Sequence, residues 1–154
     1  MTTIDSVHVD FMRLALEEAK KCEPTPTAFC VGCLIVQNGR VLSTGYSREL
    51  PGNTHAEQCA LEKLLSAWAG SLPKGLDLYT TMEPCSERLS GNKPCTDRIL
   101  DYGKEVFNSV YLGVKEPSDF VECKGVRKLK DAGIQVVHVQ GLEEECLEVA
   151  RKGH

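Results

Sequence analysis

Eight consecutive residues, Phe29 to Val36 (FCVGCLIV), carry no charge and no strongly polar group. An apolar run this short, set between turn signals, reads as a buried strand; helices of similar burial run longer. Pro24 and Pro26 precede the run and Asn38-Gly39 follows it. Asn-Gly is a strong hairpin signal, so Val41 to Tyr46 should fold back as a second strand. A strand without a solvent face must be covered on both sides, which calls for a layered architecture.

The rest of the chain supplies the layers. Val9 to Cys22 (VDFMRLALEEAKKC) has apolar residues at helical spacing. Thr54 is placed to cap a second helix, from about His55 to Ala69, with Glu57 as its capping-box partner. Leu76 to Thr81 alternates like a strand. Thr96 to Tyr102 reads as a short helix, Val106 to Val114 as a strand, Phe120 to Ala132 as a helix and Ile134 to Val139 as a strand. Glu143 to Lys152 closes as a helix. This order predicts an α/β fold, a three-layer α/β/α sandwich around a five-stranded mixed sheet. The last two strands are joined by a helix and should run parallel.

At 154 residues, the chain is large enough for one domain with a real core. The net charge of −4 argues against nucleic acid as a partner, since nucleic-acid-binding domains carry a basic face. No apolar run approaches the roughly 20 residues of a membrane-spanning helix. The N-terminus, MTTIDSVHVDF, lacks the charged start and apolar core of a secretory signal. A cytoplasmic location is expected, with the nucleus as the alternative. The eight cysteines are then expected as buried thiols or metal ligands rather than disulfides.

Three separate segments place metal-binding side chains near element ends. His55-Ala56-Glu57 opens a predicted helix, Pro84-Cys85 follows a predicted strand, and Cys95 precedes another helix. One imidazole and two thiolates are a ligand set for a catalytic zinc with an open fourth position. Two thiolates neutralise Zn²⁺, and adjacent helix N-termini favour the thiolate form. Glu57 would remain off the metal as the proton carrier, although a plain capping role fits the same position. Singly, each residue has a bland explanation: a lone cysteine is usually a small core residue. The order His-x-Glu, strand, Pro-Cys, Cys, helix is the pattern of the zinc deaminases.

Thr54-His55-Ala56-Glu57, Thr81-Met82-Glu83-Pro84-Cys85-Ser86 and Ser90-Gly91-Asn92-Lys93-Pro94-Cys95 together resemble the cytidine-deaminase-like superfamily, and within it the deaminases of riboflavin biosynthesis in their fungal form. Phe11 to Leu16 and the segment from Gly141 to His154 extend the resemblance over nearly the whole chain. It implies a single zinc-dependent deaminase domain over residues 1–154. His55, Cys85 and Cys95 would be the metal ligands and Glu57 the catalytic residue. The implied reaction removes the 2-amino group of 2,5-diamino-6-ribitylamino-4(3H)-pyrimidinone 5′-phosphate as ammonia, in a protein that is commonly oligomeric, here expected as a homodimer.

Nine residues separate Cys85 from Cys95, where deaminases of nucleic-acid bases usually hold two. The longer loop carries Arg88, Ser90 and Lys93, a chemistry suited to a phosphate or to ribityl hydroxyls. Asn53, just before the zinc histidine, is the next candidate for a substrate contact, and Arg48 a weaker one. In the first strand the bacterial enzymes carry an Asn-Pro that is absent from Thr25-Pro26-Thr27-Ala28-Phe29-Cys30-Val31-Gly32. Cys30 and Cys33, three apart in a strand, should face opposite sides rather than form a pair. The alternatives are a tRNA adenosine deaminase, a deoxycytidylate-type nucleotide deaminase and a non-catalytic zinc-stabilised module. The last would complete the metal with a fourth side chain, for which Cys59 is the nearest candidate.

Overall fold

The computed structural model describes residues 3–25, 29–52, 54–82, 93–114 and 124–152. Helix α1 (Thr3–Ala19) leads into the hairpin of β1 (Gly32–Gln37) and β2 (Arg40–Tyr46). Then follow α2 (Ala56–Ala67), β3 (Leu76–Met82), α3 (Cys95–Tyr102), β4 (Phe107–Val114), α4 (Lys124–Asp131), β5 (Gln135–His138) and α5 (Glu143–Ala150). The strands form one sheet in the order β2-β1-β3-β4-β5. β1 is antiparallel to both β2 and β3, while β3, β4 and β5 run parallel. The sheet is mixed and its last strands are parallel, as the element order required.

Helix α1 starts ahead of the periodic pattern, because no Pro or Gly before Val9 stops it. The apolar run becomes a strand only from Gly32. Before that, the Cys30 N–H donates to the Ala150 carbonyl and Val31 bonds with Ser47 just after β2, so the chain there is tied to the end of α5 as well as to the hairpin. Between β1 and β2, Asn38 (φ 50°) and Gly39 (φ 78°) both take positive φ, the two-residue turn whose twist matches a hairpin.

Alternation along the strands divides the core in two. Cys33, Ile35, Leu76, Leu78, Val110 and Leu112 face α2, α3 and α4, where they meet Ala60, Leu64, Ile99 and Leu129. Leu34, Val36, Tyr79 and Tyr111 face α1 and α5, where they meet Met12, Ala15, Leu16, Leu142 and Cys146. Each fully buried Leu or Ile contributes roughly 1.5–3 kcal/mol by leaving water. Two glycines set the spacing of the layers. A Cβ on Gly32 would lie 1.9 Å from the Ala15 carbonyl of α1. One on Gly45 would lie 2.3 Å from the Ala56 carbonyl at the start of α2. No helix among the described residues is long and apolar enough to cross a membrane.

Candidate metal centre

The N-terminal ends of α2 and α3 meet beside the C-terminal end of β3. His55 is the residue that enters α2, with extended backbone (φ −93°, ψ 160°) and no side-chain cap bond. Pro94 plays the same part for α3 (φ −61°, ψ 148°), which makes Cys95 the first residue of that helix. The two helix entries bring the His55 and Cys95 side chains to the same point. His55 Nδ1 lies 3.4 Å from Cys95 Sγ. The donor atoms of His55, Glu57 and Cys95 all lie within 4.8 Å of one another, with Glu57 and Cys95 buried and His55 half-buried.

This arrangement fits a zinc ion. Zn–N and Zn–S bonds of about 2.0–2.1 and 2.3 Å at a tetrahedral angle put the two ligand atoms about 3.5 Å apart. The 3.4 Å between His55 Nδ1 and Cys95 Sγ matches that spacing. Glu57 and Cys95 also sit in the first turns of α2 and α3, where exposed N–H groups and the helix dipole favour a carboxylate and a thiolate. Among the described residues, this is the one cluster of three or more His, Cys, Asp or Glu residues that could hold a metal.

The capping box expected at the start of α2 does not form. Thr54 gives its hydroxyl to the Leu50 carbonyl (2.8 Å), so it closes the preceding loop and His55 takes the capping position. Glu57 is only 3 % exposed and its Oε1 accepts a hydrogen bond from Thr80 Oγ1 at 2.9 Å. A carboxylate that turns inward to a strand serves the sheet side of the helix, beside His55 and Cys95.

The other expected residues fall in different places. Cys85, Arg88, Ser90 and Asn53 lie outside the described residues. Lys93 is exposed and its Nζ is ion-paired with Asp101 of α3. Arg48, with φ 62°, turns its guanidinium to the Glu23 carbonyl (3.0 Å) and to Cys22 Sγ (2.8 Å), so it braces the loops before β1 and α2. Burial pushes the Cys22 thiol up to about 12. Cys30 sits against the same guanidinium, while Cys33 packs under α2, so the two cysteines face opposite sides. Burial, reinforced by Glu57, keeps the Cys33 thiol well above its ordinary value and hence protonated. Cys59 is fully buried and is not among the clustered ligands. Sequence reasoning missed Thr80; a hydroxyl in line with Leu76, Leu78 and Met82 on the otherwise apolar face of the strand was the available signal.

Residues 5–110 match the cytidine and deoxycytidylate deaminase zinc-binding region. The chain belongs to this deaminase family. It is 53% identical over 147 residues to the diaminohydroxyphosphoribosylamino-pyrimidine deaminase of Schizosaccharomyces pombe, covering 96% of this chain and 36% of that protein. It is 37% identical over 150 residues to the riboflavin biosynthesis protein RibD of Aquifex aeolicus, covering 95% and 38%. The chain thus spans a little over a third of the length of these curated relatives. In three dimensions it superposes on the Aspergillus oryzae Rib2 deaminase, crystallised with DARIPP, with a TM-score of 0.87 and 40% identity, covering 96% of this chain and 92% of that one. The zinc-binding deaminase family and the cluster at His55, Glu57 and Cys95 agree on the metal.

Proposed function

We propose that the protein is a zinc-dependent hydrolase that removes the 2-amino group of 2,5-diamino-6-ribitylamino-4(3H)-pyrimidinone 5′-phosphate, releasing ammonia, as a step of riboflavin biosynthesis. The observation that carries this is the convergence of His55, Glu57 and Cys95 in a chain similar throughout to deaminases of that pathway. The A. oryzae neighbour's complex with DARIPP supports a ribitylaminopyrimidine over a nucleotide or a tRNA.

His55 Nδ1 and Cys95 Sγ would hold the metal together with Cys85. When bound, zinc supplies the Lewis acidity that makes water a nucleophile near neutral pH. Glu57 would carry one proton of the attacking water to the ring nitrogen and then the second, from the hydroxyl that becomes the new oxo group, to the amine that departs as ammonia. Its burial suits this work: a carboxylate shielded from solvent exchanges its proton with the reacting groups rather than with bulk water. Arg88, Ser90 and Lys93 bind the phosphate and ribityl end, and Asn53 contacts the ring or the ribityl chain. The Lys93–Asp101 pair is exposed and therefore weak, so Lys93 can exchange partners at little cost.

The same reading makes the protein a homodimer that works in the cytoplasm and binds neither nucleic acid nor membrane. The six cysteines among the described residues form no disulfide with one another, which suits a reducing compartment. Sedimentation at the mass of one chain would count against the dimer.

Incubation of the purified protein with the reduced ribitylaminopyrimidine phosphate, followed by mass spectrometry and an ammonia assay, tests the activity. The expected result is conversion of the amino group to an oxo group with one ammonia per substrate. Release of ammonia from deoxycytidylate or from an adenosine-containing tRNA instead would reassign the substrate. Arg88→Ala and Lys93→Ala should raise KM for the phosphorylated substrate more than for its dephosphorylated form. Equal effects on both would remove the loop from phosphate binding.

A further inference from the structure

Thr80 is fully buried on β3, on the face that packs under α2. Its hydroxyl lies 2.9 Å from Glu57 Oε1 and 2.8 Å from the Met82 carbonyl. The two acceptors share one hydroxyl hydrogen. The side chain is β-branched, so strand geometry leaves χ1 little freedom and the oxygen stays where the strand puts it. A buried carboxylate needs a donor, and here the donor is a rigid one.

We propose that Thr80 is a positioning residue for Glu57. It fixes one carboxylate oxygen to the sheet, so the carboxyl group keeps a single orientation beside His55 and Cys95. The link to Met82 ties this orientation to the last residue of β3, from which the chain continues towards Cys85. The inference rests on the proposed deaminase activity for its kinetic consequence, and on geometry alone for its structural one.

Thr80→Val removes the hydroxyl and keeps the shape; Thr80→Ser keeps the hydroxyl. Crystal structures of the zinc-loaded wild type and of Thr80→Val test the geometry without substrate. The Glu57 carboxyl should move by about 1 Å or more, a displacement that matters on the scale of catalytic positioning. In turnover, Thr80→Val should lose roughly tenfold in kcat with KM and zinc content unchanged, a fraction of what a complete loss of acid–base function costs. Thr80→Ser should restore kcat to within a few-fold of wild type. An unmoved Glu57 in Thr80→Val overturns the proposal, and so does a moved Glu57 with wild-type kcat. If Thr80→Val does not fold, Thr80→Ala takes its place; failure of both to fold overturns the proposal in favour of a hydroxyl needed only for stability. A wild-type protein that releases no ammonia defeats the proposed activity instead, and the crystallographic comparison then decides on Thr80.

Discussion

At the scale of the residue, the site depends on Glu57 being a buried carboxylate rather than a cap. Its bond from Thr80 turns one carboxylate oxygen towards the sheet, which supports the catalytic reading over the capping one. Glu57→Gln keeps the shape and loses the proton chemistry. It should retain zinc, measured by elemental analysis, and lose about 10²-fold or more in turnover. Near-normal turnover would remove Glu57 from the mechanism. A second residue makes a test of pH. Burial raises the Asp77 carboxyl above its ordinary value, against a smaller opposing pull from His8. A raised carboxyl favours the fold while protonated, and that advantage is lost as the pH rises from the unfolded value, about 4, through the folded one. Asp77→Asn is neutral throughout, so it should raise Tm at pH 7 and have little effect near pH 3. Calorimetry at the two pH values checks this, and a lower Tm at pH 7 would contradict it.

At the scale of the element, the site is set by how closely α2 rides on β2. Gly45 permits a backbone approach that a Cβ would block at 2.3 Å from Ala56 O and 2.7 Å from Ala60 N. Ala56 lies between His55 and Glu57, so Gly45→Ala should shift both. It should cost about 1–3 kcal/mol in stability and weaken zinc binding together. Gly32→Ala, which would press on α1 across the sheet, should cost stability while leaving zinc affinity largely intact. Denaturant unfolding and zinc titration of the two variants distinguish them; equal losses of zinc affinity would refute the contrast. Much of this layer was legible in the sequence. The apolar run, the Asn-Gly turn and the helical periodicities follow from local sterics and burial, so the strands and helices fall near their expected places. The helix ends were less legible: His55, not Thr54, caps α2, because the Thr54 hydroxyl finds the Leu50 carbonyl across a loop whose path no local rule predicts. Thr80 was hidden for the same reason. Its partner is 23 residues away in sequence and adjacent only once the sheet and α2 have packed.

At the scale of the whole molecule, the proposed zinc would join segments that are far apart in the chain: the start of α2 and the start of α3 are 40 residues apart at His55 and Cys95. An ion held by such ligands binds the folded chain and not the unfolded one. At free zinc of about 100 times Kd it adds roughly 2.7 kcal/mol. For a chain of this size, removal by a chelator should lower Tm by about 5–10 °C. No change in Tm would place the metal elsewhere. The most direct test of the central claim, a zinc held by one imidazole and two thiolates with one position left open, is zinc-edge X-ray absorption of the purified protein. It should show one imidazole nitrogen at about 2.0–2.1 Å, two sulfurs at about 2.3 Å and one further light atom that no protein side chain supplies. Three sulfurs or a second imidazole around the ion would show a closed, structural site and contradict it.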